Sequence, residues 1–199
     1  GDNMFKKNLY LLCVTVLPFM ICTGIIYSIL SLYMASLGLT KSQIGSLFTA
    51  GAVAAAISSP IWGSLSDKFG RKKILIFSMV IFAGVFLGYA LSENYVHLII
   101  IQLGEGIAWA AMGSAAVALV ADMVPEKNRG KAMGIYNMTW NTGWIVGPSL
   151  GGILSDHVGF MPTFLMCTGL TVTGIFMAVF LIPGKLPRLP GTGEIEEKI

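Results

Sequence analysis

Charge is what this sequence has least of. Thirteen basic and ten acidic side chains make up 12% of its 199 residues, about half the share of an ordinary soluble domain. With 55% hydrophobic residues and a mean hydropathy of +0.76, the chain lacks the polar surface that a water-soluble fold needs, and we read it as an integral membrane protein. The shortages continue. There are two histidines, His97 and His157, both beside the same face of the predicted bundle, and three cysteines, Cys13, Cys22 and Cys167, without metal-like spacing. No Ser/His/Asp set, metal-ligand cluster or phosphate-binding loop is present, so the expectation is a protein without enzymatic chemistry, metal or cofactor. The net charge of +3 is accounted for by basic loops beside a membrane and calls for no nucleic-acid partner.

What the chain does have is long uncharged runs. The charges cluster in short connections, and the runs between them are long enough to cross a hydrocarbon core of about 30 Å, which takes about 20 helical residues. Six spans follow, at about 9–33, 43–65, 74–91, 96–120, 132–154 and 160–182. Barrel strands are excluded because the runs lack the alternation a lipid-facing strand requires, whereas helices satisfy their own backbone groups in lipid. The expected fold is therefore an all-α membrane protein, one six-helix bundle over residues 1–182, followed by a Pro/Gly-rich cytoplasmic linker or tail over 183–199. Twelve of the thirteen Lys and Arg fall in one set of connections and Lys41 alone in the other. By the positive-inside rule both termini are cytoplasmic, and the plasma membrane is the expected location.

A repeat organises the spans. Gly63, Leu65, Ser66, Asp67 and Gly70 recur 89 positions later as Gly152, Leu154, Ser155, Asp156 and Gly159. The end of the second helix thus matches the end of the fifth, and the chain divides into two three-helix units. Three is odd, so the second unit enters from the opposite side, giving a 3+3 inverted repeat of the kind found in secondary transporters. The basic cluster Arg71-Lys72-Lys73 is not repeated, as expected for a copy of the turn on the outer side.

Three stretches carry a family likeness. Gly63-Ser-Leu-Ser-Asp67-Lys68-Phe-Gly70-Arg71-Lys72-Lys73 resembles the G-x-x-x-D-[RK]-x-G-R-[RK] signature between helices two and three of the major facilitator superfamily. Gly143-Trp-Ile-Val-Gly147-Pro148-Ser-Leu-Gly151-Gly152 resembles its G-x-x-x-G-P-x-x-G-G motif, associated with antiporters and notably drug exporters. The run from Asp122 through Arg129 to Gly134 is similar to the family's connection between helices four and five. The resemblance covers essentially the whole chain and implies half of a major facilitator fold, the amino-terminal six of a usual twelve spans. The implied function is secondary active transport of a small solute by alternating access, with a carboxy-terminal six-helix half as partner, from the same gene or a separate chain. The competing reading is a non-transporting half-unit that serves as subunit, receptor or assembly partner.

The residues themselves support specific roles. Gly63 would let a neighbouring backbone come close and Gly70 would permit a tight turn. Asp67, Arg71 and Asp122, with Arg129 nearby, would form an intracellular latch that breaks when the halves rock. Gly143, Gly147 and Gly151 recur every four residues and place a smooth stripe on one face of the fifth helix, beside Pro148 and Gly152, for close helix contact. Glu105 is the only charged residue well inside a span, and such groups point to function by default. Gln102, Glu105 and Trp109 share its helix face. Asn137, Trp140, Asn141 and Trp144 share another on the fifth span, and the first span adds Thr23 and Tyr27. Rings, amides and one carboxylate suit an amphipathic or cationic ligand, and protonation of Glu105 would couple its movement to protons. Where relatives often carry an arginine in R-x-x-Q-G-x-G, this sequence has Gln102, which leaves Glu105 without that neutralising charge and favours its protonated form.

Overall fold

The structure is a computed structural model and describes residues 2–184. It contains six long helices: α1 (Asp2–Ser36), α2 (Lys41–Phe69), α3 (Arg71–Leu91), α4 (Tyr95–Met123), α5 (Arg129–Val158) and α6 (Phe160–Leu181), with a single 3₁₀ turn, Glu126–Asn128, before α5. Of the proposed tail, only Pro183 and Gly184 fall within the described residues.

Local chemistry sets the helix ends. Gly38 turns the chain after α1 with φ +83°. Thr40 then opens α2 with a capping box: its hydroxyl accepts from the Gln43 backbone N–H, and Gln43 Oε1 accepts from the Thr40 N–H at 2.9 Å. Gly70 and Gly159 join α2 to α3 and α5 to α6, at φ +99° and +87°, a region that disfavours a Cβ. Each donates its N–H to the serine four residues back, Gly70 to Ser66 at 3.1 Å and Gly159 to Ser155 at 3.0 Å. The repeated residues thus build the same turn twice.

Helix packing follows the repeat as well. The main neighbours run in the order α5, α1, α6, α3, α4, α2. Exchanging α1 with α4, α2 with α5 and α3 with α6 maps this order onto itself, as an inverted repeat requires. The largest fully buried side chains include Phe19 and Met20 of α1 and Phe82, Phe86 and Tyr89 of α3. In contrast, only 11% of the most apolar window of α2 is buried.

Five of the six helices are long and apolar enough to cross a membrane by length and composition; α5 falls short on apolarity. At 30 residues it has the length. Its hydropathy is lowered by its glycines and by Asn137, Thr139, Asn141 and Thr142. Those glycines fit it against α1. A Cβ on Gly143 would collide with the Met20 carbonyl; one on Gly147 would stand 2.5 Å from the Gly24 Cα; one on Gly151 would stand 2.7 Å from the Ile25 oxygen. Gly152 faces open space within this chain and lies off the stripe, and Pro148 sits inside the helix without ending it. The symmetry-related α2–α4 crossing is equally close, because a Cβ on Gly106 would collide with the Gly51 carbonyl.

Two side chains tie helix ends from outside their own helix. The Tyr33 hydroxyl lies 2.8 Å from the Tyr89 carbonyl and 2.9 Å from that of Ser92 at the end of α3. Lys72 Nζ donates to the Val179 and Ile182 carbonyls at the end of α6, at 2.8 and 2.5 Å, where a cation also complements the helix dipole.

Candidate functional site

In the neighbour order α2 and α5 end the series, and α1 and α4, next in from each end, also touch each other. The chemistry collects there. Glu105 of α4 is 1% exposed. Its Oε1 accepts from the Tyr27 hydroxyl of α1 and its Oε2 from the Tyr89 hydroxyl of α3. Both tyrosines are held from behind: Trp109 Nε1 donates to Tyr27 Oη at 2.7 Å, and Gln102 Nε2 donates to Tyr89 Oη at 3.0 Å. Gln102, Glu105 and Trp109 come to one place because spacings of three and four residues share a helix face. Each carboxyl oxygen therefore meets one phenol hydroxyl, from two different helices. Among the described residues no cation is paired with it.

Aromatic rings form the wall beside this network. Trp109 stands 5.2 Å from Trp140, 6.2 Å from Tyr27 and 4.8 Å from Phe82, centroid to centroid. Trp144, 44% exposed, stands 5.9 Å from Tyr27. A recess of about 280 Å³ is lined by Tyr27, Phe48, Gly51, Gln102, Glu105 and Trp109 among others. The network thus sets one carboxyl group, two phenols and an amide beside a wall of aromatic rings.

The other expected cavity residues divide. Thr23 is fully buried and gives its hydroxyl to the Met20 carbonyl at 2.7 Å, so it serves its own helix and does not line the recess. Asn137 and Asn141 are exposed on α5 and make no hydrogen bond to the Glu105 network. Tyr89 was not anticipated. It lies in a run of uniformly apolar residues in α3 that has no polar face to mark it; the available signal was a phenol in such a run, which requires a partner once buried.

At the other end of the spans, Arg71 Nη1 pairs with Asp67 and its Nε with Asp122 Oδ2 at 3.1 Å, with Ser66 Oγ 3.4 Å from Nη1. One guanidinium therefore joins the end of α2, the start of α3 and the end of α4. The ion pairs are partly exposed, and pairs of this type contribute about 1 kcal/mol or less. Arg129 is exposed and takes no part in the cluster. Among the described residues nothing beyond its own stretch of helix comes within 4 Å of where a Gly63 Cβ would be, so the close contact expected there is not made within these six helices.

The sequence pattern of the Major Facilitator Superfamily matches residues 12–198. The chain belongs to this superfamily. Among curated relatives, the quinolone resistance protein NorA of Staphylococcus aureus strain MRSA252 is 28% identical over 177 residues, 89% of this chain and 45% of NorA. An uncharacterised transporter of the superfamily from Methanocaldococcus jannaschii is 29% identical over 162 residues, 81% of this chain and 42% of the relative. The chain thus spans less than half the length of these relatives. In fold, it superposes at a TM-score of 0.74 and 19% identity on a bacterial homologue of the human lysosomal transporter Spinster, solved inward-facing and unoccupied, covering 100% of this chain and 47% of that one. The bundle is therefore the six-helix half of a major facilitator fold, an integral, multi-pass membrane protein.

Proposed function

We propose that this chain forms the amino-terminal half of a secondary active transporter that works by alternating access, with both termini cytoplasmic, in the plasma membrane. It exports amphipathic cations in exchange for protons, together with a carboxy-terminal six-helix half from the same gene or a separate chain. One observation carries the reading: a carboxylate 1% exposed, held by neutral donors alone beside aromatic rings. A charge so placed is costly to bury unpaired, and a cation or a proton relieves the cost. One charge site that takes either in turn is the minimal element of cation–proton exchange. The likeness to a protein named for quinolone resistance fits the same class of aromatic amphiphile.

The test uses the chain with its carboxy-terminal half in proteoliposomes. A pH gradient should drive accumulation of tetraphenylphosphonium, and collapsing the gradient should abolish it. Failure to move the cation with both halves present overturns the reading.

In this scheme the Arg71 cluster is the latch that holds the cytoplasmic ends of α2, α3 and α4 together in the outward-facing state. Asp67→Asn should then slow transport several-fold and leave the protein folded, whereas Asp156→Asn, at the repeated turn and without an arginine partner among the described residues, should leave the rate near that of the parent. Equal rates for the two variants would remove the latch from the mechanism.

A further inference from the structure

The hydrogen-bond network around Glu105 has a direction, because its members differ in what they can give and take. An indole N–H only donates, a phenol can do both, and a side-chain amide carries a donor at one end and an acceptor at the other. Trp109 donates to Tyr27, so the single Tyr27 proton goes to Oε1; Gln102 donates to Tyr89, so the Tyr89 proton goes to Oε2. Every proton runs inward to a carboxylate.

A proton added to Glu105 cannot be absorbed on the Tyr27 side. The new O–H would point at Tyr27, whose own hydrogen would then need another acceptor, and the indole offers none. On the Tyr89 side it can. There the Tyr89 hydroxyl accepts from Oε2–H and turns its own hydrogen to Gln102, provided that Gln102 presents Oε1 in place of Nε2. Of the two groups that end the network, Trp109 and Gln102, only Gln102 can exchange donor for acceptor, by rotating its amide.

We propose that the Gln102 amide is the element that reads the proton on Glu105, with Nε2 towards Tyr89 when Glu105 is ionised and Oε1 towards Tyr89 when it is protonated. This rests on the reading of Glu105 as a proton-binding carboxylate and makes Gln102 a positioning residue for it. The consequence reaches α2. In the ionised arrangement Gln102 Oε1 faces Gly51, where a Cβ would be 2.8 Å away, at the tight crossing of α2 and α4. Rotation replaces that oxygen with an NH₂ group, so α2 meets a donor where it met an acceptor. Tyr27 from α1 and Tyr89 from α3 are the titratable groups facing Glu105. Phe48, Gly51, Ala52 and Ala55 face it from α2, Trp140 stands behind Trp109 from α5 and Phe164 of α6 stands behind Tyr89. None of these last carries a charge.

Infrared difference spectra between neutral and acidic pH, taken on the full chain in lipid nanodiscs with isotope-labelled glutamine side chains, test this directly. The chain has one other glutamine, Gln43, which caps α2 far along the chain from the network. Acidification should produce a protonated-carboxyl band, absent in Glu105→Gln, together with a shifted amide band, absent in Gln102→Met. In Tyr89→Phe the carboxyl band should remain and the amide shift should vanish, since the relay is cut. Circular dichroism and elution matching the parent would establish that each variant is folded. A carboxyl band without the amide shift in the parent, or an amide shift that survives Tyr89→Phe, overturns the role of Gln102 alone. Loss of both bands in the parent overturns the Glu105 reading beneath it.

Discussion

Gly147→Val is expected to abolish the folded bundle, whereas Gly152→Val leaves it intact. Both glycines belong to one motif, and sequence alone ranks them together. At Gly147 the first atom of any side chain meets the Gly24 Cα at 2.5 Å and the Ile25 nitrogen at 2.7 Å. These are backbone atoms, so no rotamer change relieves the clash, and α1 and α5 must separate. Overpacking a core costs about 1–3 kcal/mol where side chains can adjust; here they cannot, and the cost lies at or above the upper end. The loss is amplified because association of helices in lipid depends on van der Waals contact and not on exclusion of water, and the α1–α5 interface is the most extensive in the bundle. Gly152 has nothing within 4 Å. Thermal unfolding followed by fluorescence-detected gel filtration distinguishes the two, and similar profiles would mean that the crossing does not hold the bundle together.

Glu105→Ala is expected to weaken tetraphenylphosphonium binding by roughly tenfold or more, with no effect on tetraphenylborate. A cation in the recess at about 8 Å from the carboxylate gains about 2 kcal/mol at an effective dielectric constant of about 20, more than the 1.4 kcal/mol that corresponds to a factor of ten. The rings contribute to both ions, so charge selectivity isolates the carboxylate. Trp109 lines the recess, with Trp140 against it and Trp144 against Tyr27, and these indoles provide the signal, by quenching on titration at neutral pH. Glu105→Gln retains the shape and should lose the same selectivity. Equal affinity for both ions in the parent protein would remove Glu105 from cation recognition.

Much of this architecture is written in the sequence because lipid leaves few choices. A charge at membrane depth is expensive, so the positions of 23 charged side chains mark the helices, and Glu105 stands out as the exception. The 89-residue repeat is legible because a turn at positive φ tolerates little but glycine, and Gly70 and Gly159 persist where their neighbours changed. The site is legible only in part. Gln102, Glu105 and Trp109 share a helix face and are found by counting; Tyr89 joins them through packing of α3 on α4, which no spacing within one helix reveals. Asn137 and Asn141 satisfied the same counting rule and yet stay outside the network, since periodicity identifies a face and not what the face meets. Gly51 and Gly106, unlike the stripe on α5, belong to no run of glycines spaced by four, and only the crossing pairs them. Lys72 read as a topological charge, because a capping contact to residues 107 and 110 positions away leaves no local trace.

That last contact has a mechanical side. Lys72 grips the end of α6, and Arg71, its neighbour in the chain, grips Asp67 and Asp122. Their Cα atoms are about 3.8 Å apart across one peptide unit, which is nearly inextensible. The end of α6 and the guanidinium cluster are therefore held by consecutive residues of one helix, each through its own long side chain. The first turn of α3 thus fastens α6 with one residue and α2 and α4 with the residue before it.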